Sequence, residues 1–214
     1  MSEPNRATRS ELVQYGCGLR APESSTNFDA SPTLRLSKWP LIGAIARNRT
    51  PFPRSVRYGD IVKGLSIPRE SCRAIYCSHV LEHLALDEFR AAIRNTHSYL
   101  RAGGMFRLLV PDLEYVARQY LESTDPRAAI EFCSSTALGR KSLPRSPSQL
   151  LTYWLSRGRR HYWMWDYKAL EIELRDAGFV DIRRAAHGDS AEPRFADVED
   201  EARWARSVGV ECAR

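Results

Sequence analysis

Four groups of residues in this chain could do chemistry. Tyr15-Gly16-Cys17-Gly18 follows a short apolar stretch, and an acid, Asp29, comes eleven residues after Gly18. Glycines let the backbone pass close to a ligand, and the N–H groups exposed there can hold a carboxylate or phosphate. An acid at the tip of the next strand can accept hydrogen bonds from a ribose diol. A tight glycine turn with a helix-capping acid gives the same pattern. The second group, His79 to His83, has the spacing H-x-x-E-H. Inside a helix, two such imidazoles share a zinc and the glutamate acts as base. Here the motif follows directly on a strand-like run and no third ligand is evident, so no metal is expected. A polar turn is the plainer reading. Third, Asp112 follows Pro111 at a strand end, where it can take a proton from a substrate hydroxyl or only cap the next helix. Fourth, residues 153–165 mix Tyr153, Trp154, Tyr162, Trp163 and Trp165 with Arg157, Arg159 and Arg160. Such a segment can bind sugars, lipids or bases, or form a small hydrophobic lid.

The elements that must position these groups alternate. Strands are predicted at 11–15, 26–30, 56–60, 73–78, 105–110, 179–185 and 208–212. The 105–110 run, MFRLLV, is nearly all apolar, as suits a strand buried on both faces of a parallel sheet. Phe89, Ile93, Thr96 and Leu100 recur at helical spacing, and Gly103-Gly104 should end that helix. Asp112 opens a second helix with the stripe Leu113, Val116, Ala117, Tyr120 and Leu121. Asp166 caps a third, carrying Leu170 and Leu174 and ended by Gly178. The order predicts an α/β fold: a Rossmann-like, seven-strand, mostly parallel sheet with the last strand antiparallel. Only Leu19 to Ser25 separate the first two strands, too few for an ordinary crossover helix. The first helix is therefore reduced or missing. The domain reading is a flexible tail at 1–10 and a single domain at 11–214. Its insertions fall at about 31–55, with at most a short helix at 40–47, and at about 122–165.

Composition narrows the function. The 214 residues are 43% hydrophobic and 27% charged, an ordinary globular balance. No apolar run approaches the roughly 20 residues that span a bilayer, and the first ten residues lack a signal-peptide core. Five scattered cysteines without a C-x-x-C pair suit a reduced, cytoplasmic protein. The net charge of +6 attracts anions without choosing among them.

In their order, the glycine turn, Asp29, Asp60, RAIYCSHVLEHL, RAGGMFRLLVPDLE and WMWDYKALEIELRDAGF resemble the class I S-adenosylmethionine (SAM) dependent methyltransferases. KWPL, YGDIVKGL, YCSHVLEHL, RLLVPDLE and the acidic tail ending in VGVEC look most like a bacterial group linked to surface-polysaccharide synthesis. The resemblance covers roughly residues 11–214. It implies a SAM cofactor held by Tyr15, Gly16, Cys17 and Gly18 at the methionine and Asp29 at the ribose. Asp60 and Ile61 would face the adenine, and Ser78 and His79 would border the reacting methyl. The implied reaction is methyl transfer to a small-molecule or saccharide hydroxyl, a weak nucleophile that wants a base. Asp112, His79, His83 and His161 are the candidates. Arg20 stands where a third motif glycine is usual, and Arg73 where an acid usually starts the fourth strand. Both favour the alternative of a methyltransferase-like accessory protein without turnover. Nucleic-acid methylation is the weaker third reading, because the Asn/Asp-Pro-Pro-Tyr signature of many base methyltransferases is missing.

Overall fold

The computed structural model describes residues 11–32, 34, 52–139, 146 and 160–214. The tail at 1–10, the helix expected at 40–47, and Tyr153, Trp154, Arg157 and Arg159 lie outside the described residues. Seven strands form one sheet: β1 (Leu12–Tyr15), β2 (Thr26–Asp29), β3 (Arg57–Tyr58), β4 (Cys72–Ser78), β5 (Leu100–Pro111), β6 (Val180–Ala185) and β7 (Ser207–Ala213). Their order is β3-β2-β1-β4-β5-β7-β6. β7 runs antiparallel to both neighbours and the other pairs are parallel, as the sequence predicts.

β1 and β2 are direct parallel neighbours, with Val13 opposite Thr26 and Tyr15 opposite Phe28. The chain between them contains no helix. The side chain of Asn27, buried in β2, takes over part of a helix's role. Its amide donates to the Pro22 and Ser25 carbonyls at 2.8 and 2.9 Å, which folds the loop back on its own strand.

Helix α1 (Leu86–Tyr99) buries Phe89, Ile93 and Thr96 of the expected stripe, together with Ala92. Its end differs from the expectation. It stops at Tyr99, and Leu100 is already extended (φ −68°, ψ 139°). Gly103 and Gly104 belong to a bulge in β5, where Cys72 pairs with Leu100 but Ala74 pairs with Met105. A Cβ on Gly104 would stand 2.9–3.1 Å from three carbonyl oxygens, so the glycine is needed to bring β5 against β4. Helix α2 (Leu113–Glu122) buries none of its expected stripe among the described residues. Instead Tyr120 lies 5.6 Å from Phe132 of α3 (Ala128–Ser135). Helix α4 (Tyr167–Asp176) starts at the Asp166 cap and buries Leu170 and Leu174.

One face of the sheet packs under α1 and α4, with Phe106 between Tyr15 and Phe179 and with Phe89 stacked 4.1 Å from Trp165. The other face carries charge. Register sets Arg107 of β5 opposite Glu211 of β7, and Glu211 opposite Arg183 of β6. Arg107 is fully buried. Its guanidinium donates to Glu199 (2.5 Å), Glu211 (2.9 Å) and the Ala186 carbonyl (2.5 Å), and lies 3.0 Å from Asp189. It also sits 4.9 Å from the Trp204 ring centroid. The segment from Ala186 to Trp204 is thus drawn across this face, where Phe195 and Val198 pack on Leu12, Ala74 and Tyr76.

Two outcomes are expected. Arg107→Met leaves Glu199 buried without its cation and should cost about 3–5 kcal/mol in urea unfolding, whereas Arg107→Met/Glu199→Met should recover part of that loss. Burial alone would raise Asp189, but hydrogen bonds from Arg183, the Ala186 N–H and Arg107 outweigh it and hold the carboxyl at about 2. A depressed carboxyl stabilises the fold above its unfolded value and loses that effect as pH falls through the folded one. The gap in melting temperature between wild type and Asp189→Asn should therefore be full at pH 5 and shrink steadily toward pH 2.

Candidate active site

The carboxyl ends of β1, β2 and β4 share one edge, and the strand order reverses between β1 and β4. Open α/β sheets bind ligands at such a switch point. Gly16 (φ +66°) and Gly18 (φ +56°) turn the chain there. A Cβ on Gly16 would lie 2.0 Å from Val80 Cγ2, whereas a Cβ on Gly18 would meet nothing within 4 Å. The Gly18 N–H donates to Asp29 Oδ2 at 3.0 Å and the Ser31 N–H to Oδ1 at 2.7 Å. The result is an open glycine turn tied to a nearly buried carboxylate.

The other sequence candidates on this side are placed unequally. The Tyr15 side chain points into the main core, where its hydroxyl accepts from Thr96 at 3.2 Å, so only its backbone reaches the edge. Cys17 packs with Leu34 and Val56. Burial and the neighbouring Asp29 push its thiol up to about 12, which leaves it a poor nucleophile. Asp60 follows β3; its Oδ1 accepts the Val62 N–H at 3.0 Å and its Oδ2 lies 3.5 Å from Lys63 Nζ. Ile61 joins the main core.

At the tip of β4, Ser78 is buried and held by Arg203, whose Nη1 donates to its carbonyl at 3.1 Å. His79 has φ +55°, a left-handed conformation that costs a residue with a side chain roughly 1–2 kcal/mol. Its N–H donates to the Leu109 carbonyl at 2.8 Å, and its ring Nε2 lies 3.1 Å from the Arg203 carbonyl. A 3-10 turn, Leu81–His83, follows. Glu82 in that turn is 1% exposed. His79 Nδ1 stands 3.4 Å and His83 Nε2 3.8 Å from its Oε1. Both contacts are within ion-pair range, yet neither carboxylate oxygen accepts a hydrogen bond among the described residues.

His161 completes the group, its ring 5.2 Å from that of His83. Burial lowers His161 below the usual imidazole value, against the pull of Glu82. The segment arrives because the N–H groups of Tyr162 and Trp163 both donate to the Glu82 carbonyl, at 2.8 and 3.2 Å. Sequence reasoning missed Glu82 as a centre of the site, although its place between His79 and His83 marks it. Asp112 is engaged elsewhere: its Oδ1 accepts the Glu114 N–H at 2.9 Å and caps α2. Among the described residues, a cavity of about 750 Å³ opens between α2 and α3, lined in part by Tyr115, Tyr120, Phe132 and Arg206. Ser207, next to Arg206, places its hydroxyl 3.4 Å from His79 Nε2.

A methyltransferase-domain family model matches residues 5–183. The chain belongs to that family. A SAM-dependent methyltransferase from Thermotoga maritima has a similar fold. It is 14% identical with a TM-score of 0.50, over 95% of this chain and 82% of its own. A SAM-dependent methyltransferase from Archaeoglobus fulgidus is 13% identical, with a TM-score of 0.47 over 95% and 85%. No curated protein matches the sequence.

The two departures from the family pattern have partners in this methyltransferase domain. Arg20, beside the glycine turn, lies 3.3 Å from Asp200. Arg73, at the start of β4, donates to Glu192 at 2.6 Å. The two glycines should respond differently to alanine. Gly18→Ala meets open space and should lose only the left-handed penalty, roughly 1–2 kcal/mol. Gly16→Ala should lose that and also displace Val80, giving a clearly larger drop in melting temperature.

Proposed function

We propose that this chain transfers a methyl group from SAM to a hydroxyl of a saccharide or related metabolite in the cytoplasm. The observation that carries this reading is the meeting of two half-sites: Val80 packs on the glycine turn while its neighbours His79 and Glu82 begin the histidine cluster. SAM supplies a methyl on a sulfonium, open to in-line displacement. The residues present fit such a cofactor. Gly18 opens onto unfilled space, and each Asp29 oxygen accepts one backbone N–H, which leaves lone pairs for a ribose diol. Asp60, in the loop after β3, would face the adenine amino group, and Ser78 the methionine end.

On the acceptor side, His79 is the base we assign. Its Nε2 faces a carbonyl oxygen and so carries the proton in the neutral ring, leaving Nδ1 as the acceptor. That nitrogen would take the hydroxyl proton as the new O–C bond forms and the methyl–sulfur bond breaks, its electron pair leaving on the sulfur of the demethylated product. The tyrosines lining the nearby cavity suit a sugar face. Arg20 and Arg73, each engaged in an ion pair, no longer favour the accessory reading.

Calorimetry with SAM and its demethylated product tests the cofactor half. Asp29→Ala removes hydrogen bonds to a charged group, worth about 1.5–3 kcal/mol, and should weaken binding roughly ten- to a hundred-fold. Asp112→Ala should bind normally. His79→Gln should keep SAM affinity within a few-fold and lower methyl transfer to sugar acceptors at least a hundred-fold, the lower end of general-base effects. Absence of SAM binding by the wild type at millimolar concentration would refute the reading.

A further inference from the structure

We propose that Glu82, His83 and His161 hold one divalent first-row transition cation. One oxygen of Glu82 and one nitrogen from each histidine lie within 4.8 Å of one another. Glu82 is 1% exposed, and neither of its oxygens accepts a hydrogen bond among the described residues. A buried carboxylate in that state is costly unless a positive charge joins it.

In their neutral form the histidines around it are turned the wrong way to supply hydrogen bonds. His83 Nδ1 lies 2.5 Å from the Arg160 carbonyl. A carbonyl accepts only, so in the neutral ring the proton sits on Nδ1 and the lone pair on Nε2 faces Glu82. His79 is fixed in the same sense by the Arg203 carbonyl, with Nδ1 toward Glu82. Among the described residues His161 Nδ1 is buried without a partner, and a hydrogen bond to the Thr136 backbone engages the rest of its ring. With neutral rings, lone pairs therefore converge on lone pairs, an arrangement that a bound cation relieves. An imidazole whose second nitrogen donates to a backbone carbonyl is also the usual posture of a metal ligand.

The donor set is two imidazole nitrogens and one carboxylate oxygen. It suits Zn²⁺, Mn²⁺, Fe²⁺ or Co²⁺ better than Ca²⁺ or Mg²⁺, which prefer all-oxygen shells. A cation about 2.0–2.2 Å from each donor needs them roughly 3–3.5 Å apart, a contraction that binding would require of these side chains. The expectation of no metal rested on the motif's place at a strand end and on the missing third ligand. His161 provides it, delivered by a segment whose N–H groups dock on the carbonyl of Glu82 itself. Three protein ligands leave coordination positions open. Their use in holding an acceptor hydroxyl rests on the methyl-transfer reading above; the binding of the cation does not.

The test uses the full chain, stripped with a chelator and titrated with Zn²⁺ and Mn²⁺ by calorimetry without SAM or acceptor. One cation per chain at micromolar affinity is expected, weakened at least ten-fold by Glu82→Gln and by His161→Ala and unchanged by His97→Ala. Should the variants fold poorly, the wild type decides. Mn²⁺ should broaden the ring NMR signals of His83 and His161 and leave those of His97 and His187 sharp. No binding at millimolar cation, affinity indifferent to both variants, or broadening at His97 or His187 instead would overturn the site. SAM affinity measured in the chelator reports separately on the cofactor reading.

Discussion

A guanidinium with no access to water organises the chain from Ala186 to the last strand of this protein. Arg107 lies in the middle of the sheet, and among the described residues everything that neutralises it comes from the chain after residue 185. Glu211 is its cross-strand partner in β7, while Glu199 and Asp189 come from irregular chain. An isolated buried charge is costly enough that the segment from Ala186 to Trp204 has little choice but to lie over it. The polar face would otherwise need helices; here short 3-10 turns capped by Glu192 and Asp200 cover it. Fixing that segment fixes Arg203, which holds Ser78 and the His79 ring. The geometry at the tip of β4 therefore depends on an ion network on the far side of the sheet.

The same segment explains the two arginines that break the family pattern. Each would be an odd cation if its neighbourhood were that of a typical relative. Asp200 reaches Arg20 and Glu192 reaches Arg73, so one acidic stretch answers three cations at separate points along the sheet. The Arg20 pair is exposed and contributes little to stability by itself. Its consequence is positional, since it ties the glycine turn to the strap that also holds His79.

Most of the fold was legible because it rests on local pattern. Apolar runs gave the strands, the Phe89-Ile93-Thr96 spacing gave α1, and the short interval before Asp29 correctly announced a missing helix. The misreadings share a cause. Gly103-Gly104 looks like a helix stop in sequence, but its role is to let β5 approach β4, a contact between distant residues. The α2 stripe has helical spacing yet is not buried among the described residues. Arg107 reads as one charge in an apolar strand, and only the register reveals its partners. At the site, the glycine turn and its acid were visible as spacing. The meeting of His161 with Glu82 was not, because it depends on backbone hydrogen bonds from an aromatic segment that looked like a lid.

The two halves of the site share a wall, and this limits how either can change. Val80 fills the space where a side chain on Gly16 would stand, so the glycine turn and the β4 tip are packed as one unit. The residue before Val80 is His79, held in a left-handed conformation by the Leu109 carbonyl on its N–H and the Arg203 carbonyl on its ring. The residue two after it is Glu82, whose carbonyl anchors the segment carrying His161. A shift of Val80 would therefore be felt on both sides at once. Packing of this kind resists small continuous displacement. It would keep a ligand bound at the glycine turn and a group bound at the histidine cluster in fixed relation, as an in-line transfer between two bound partners requires of its protein.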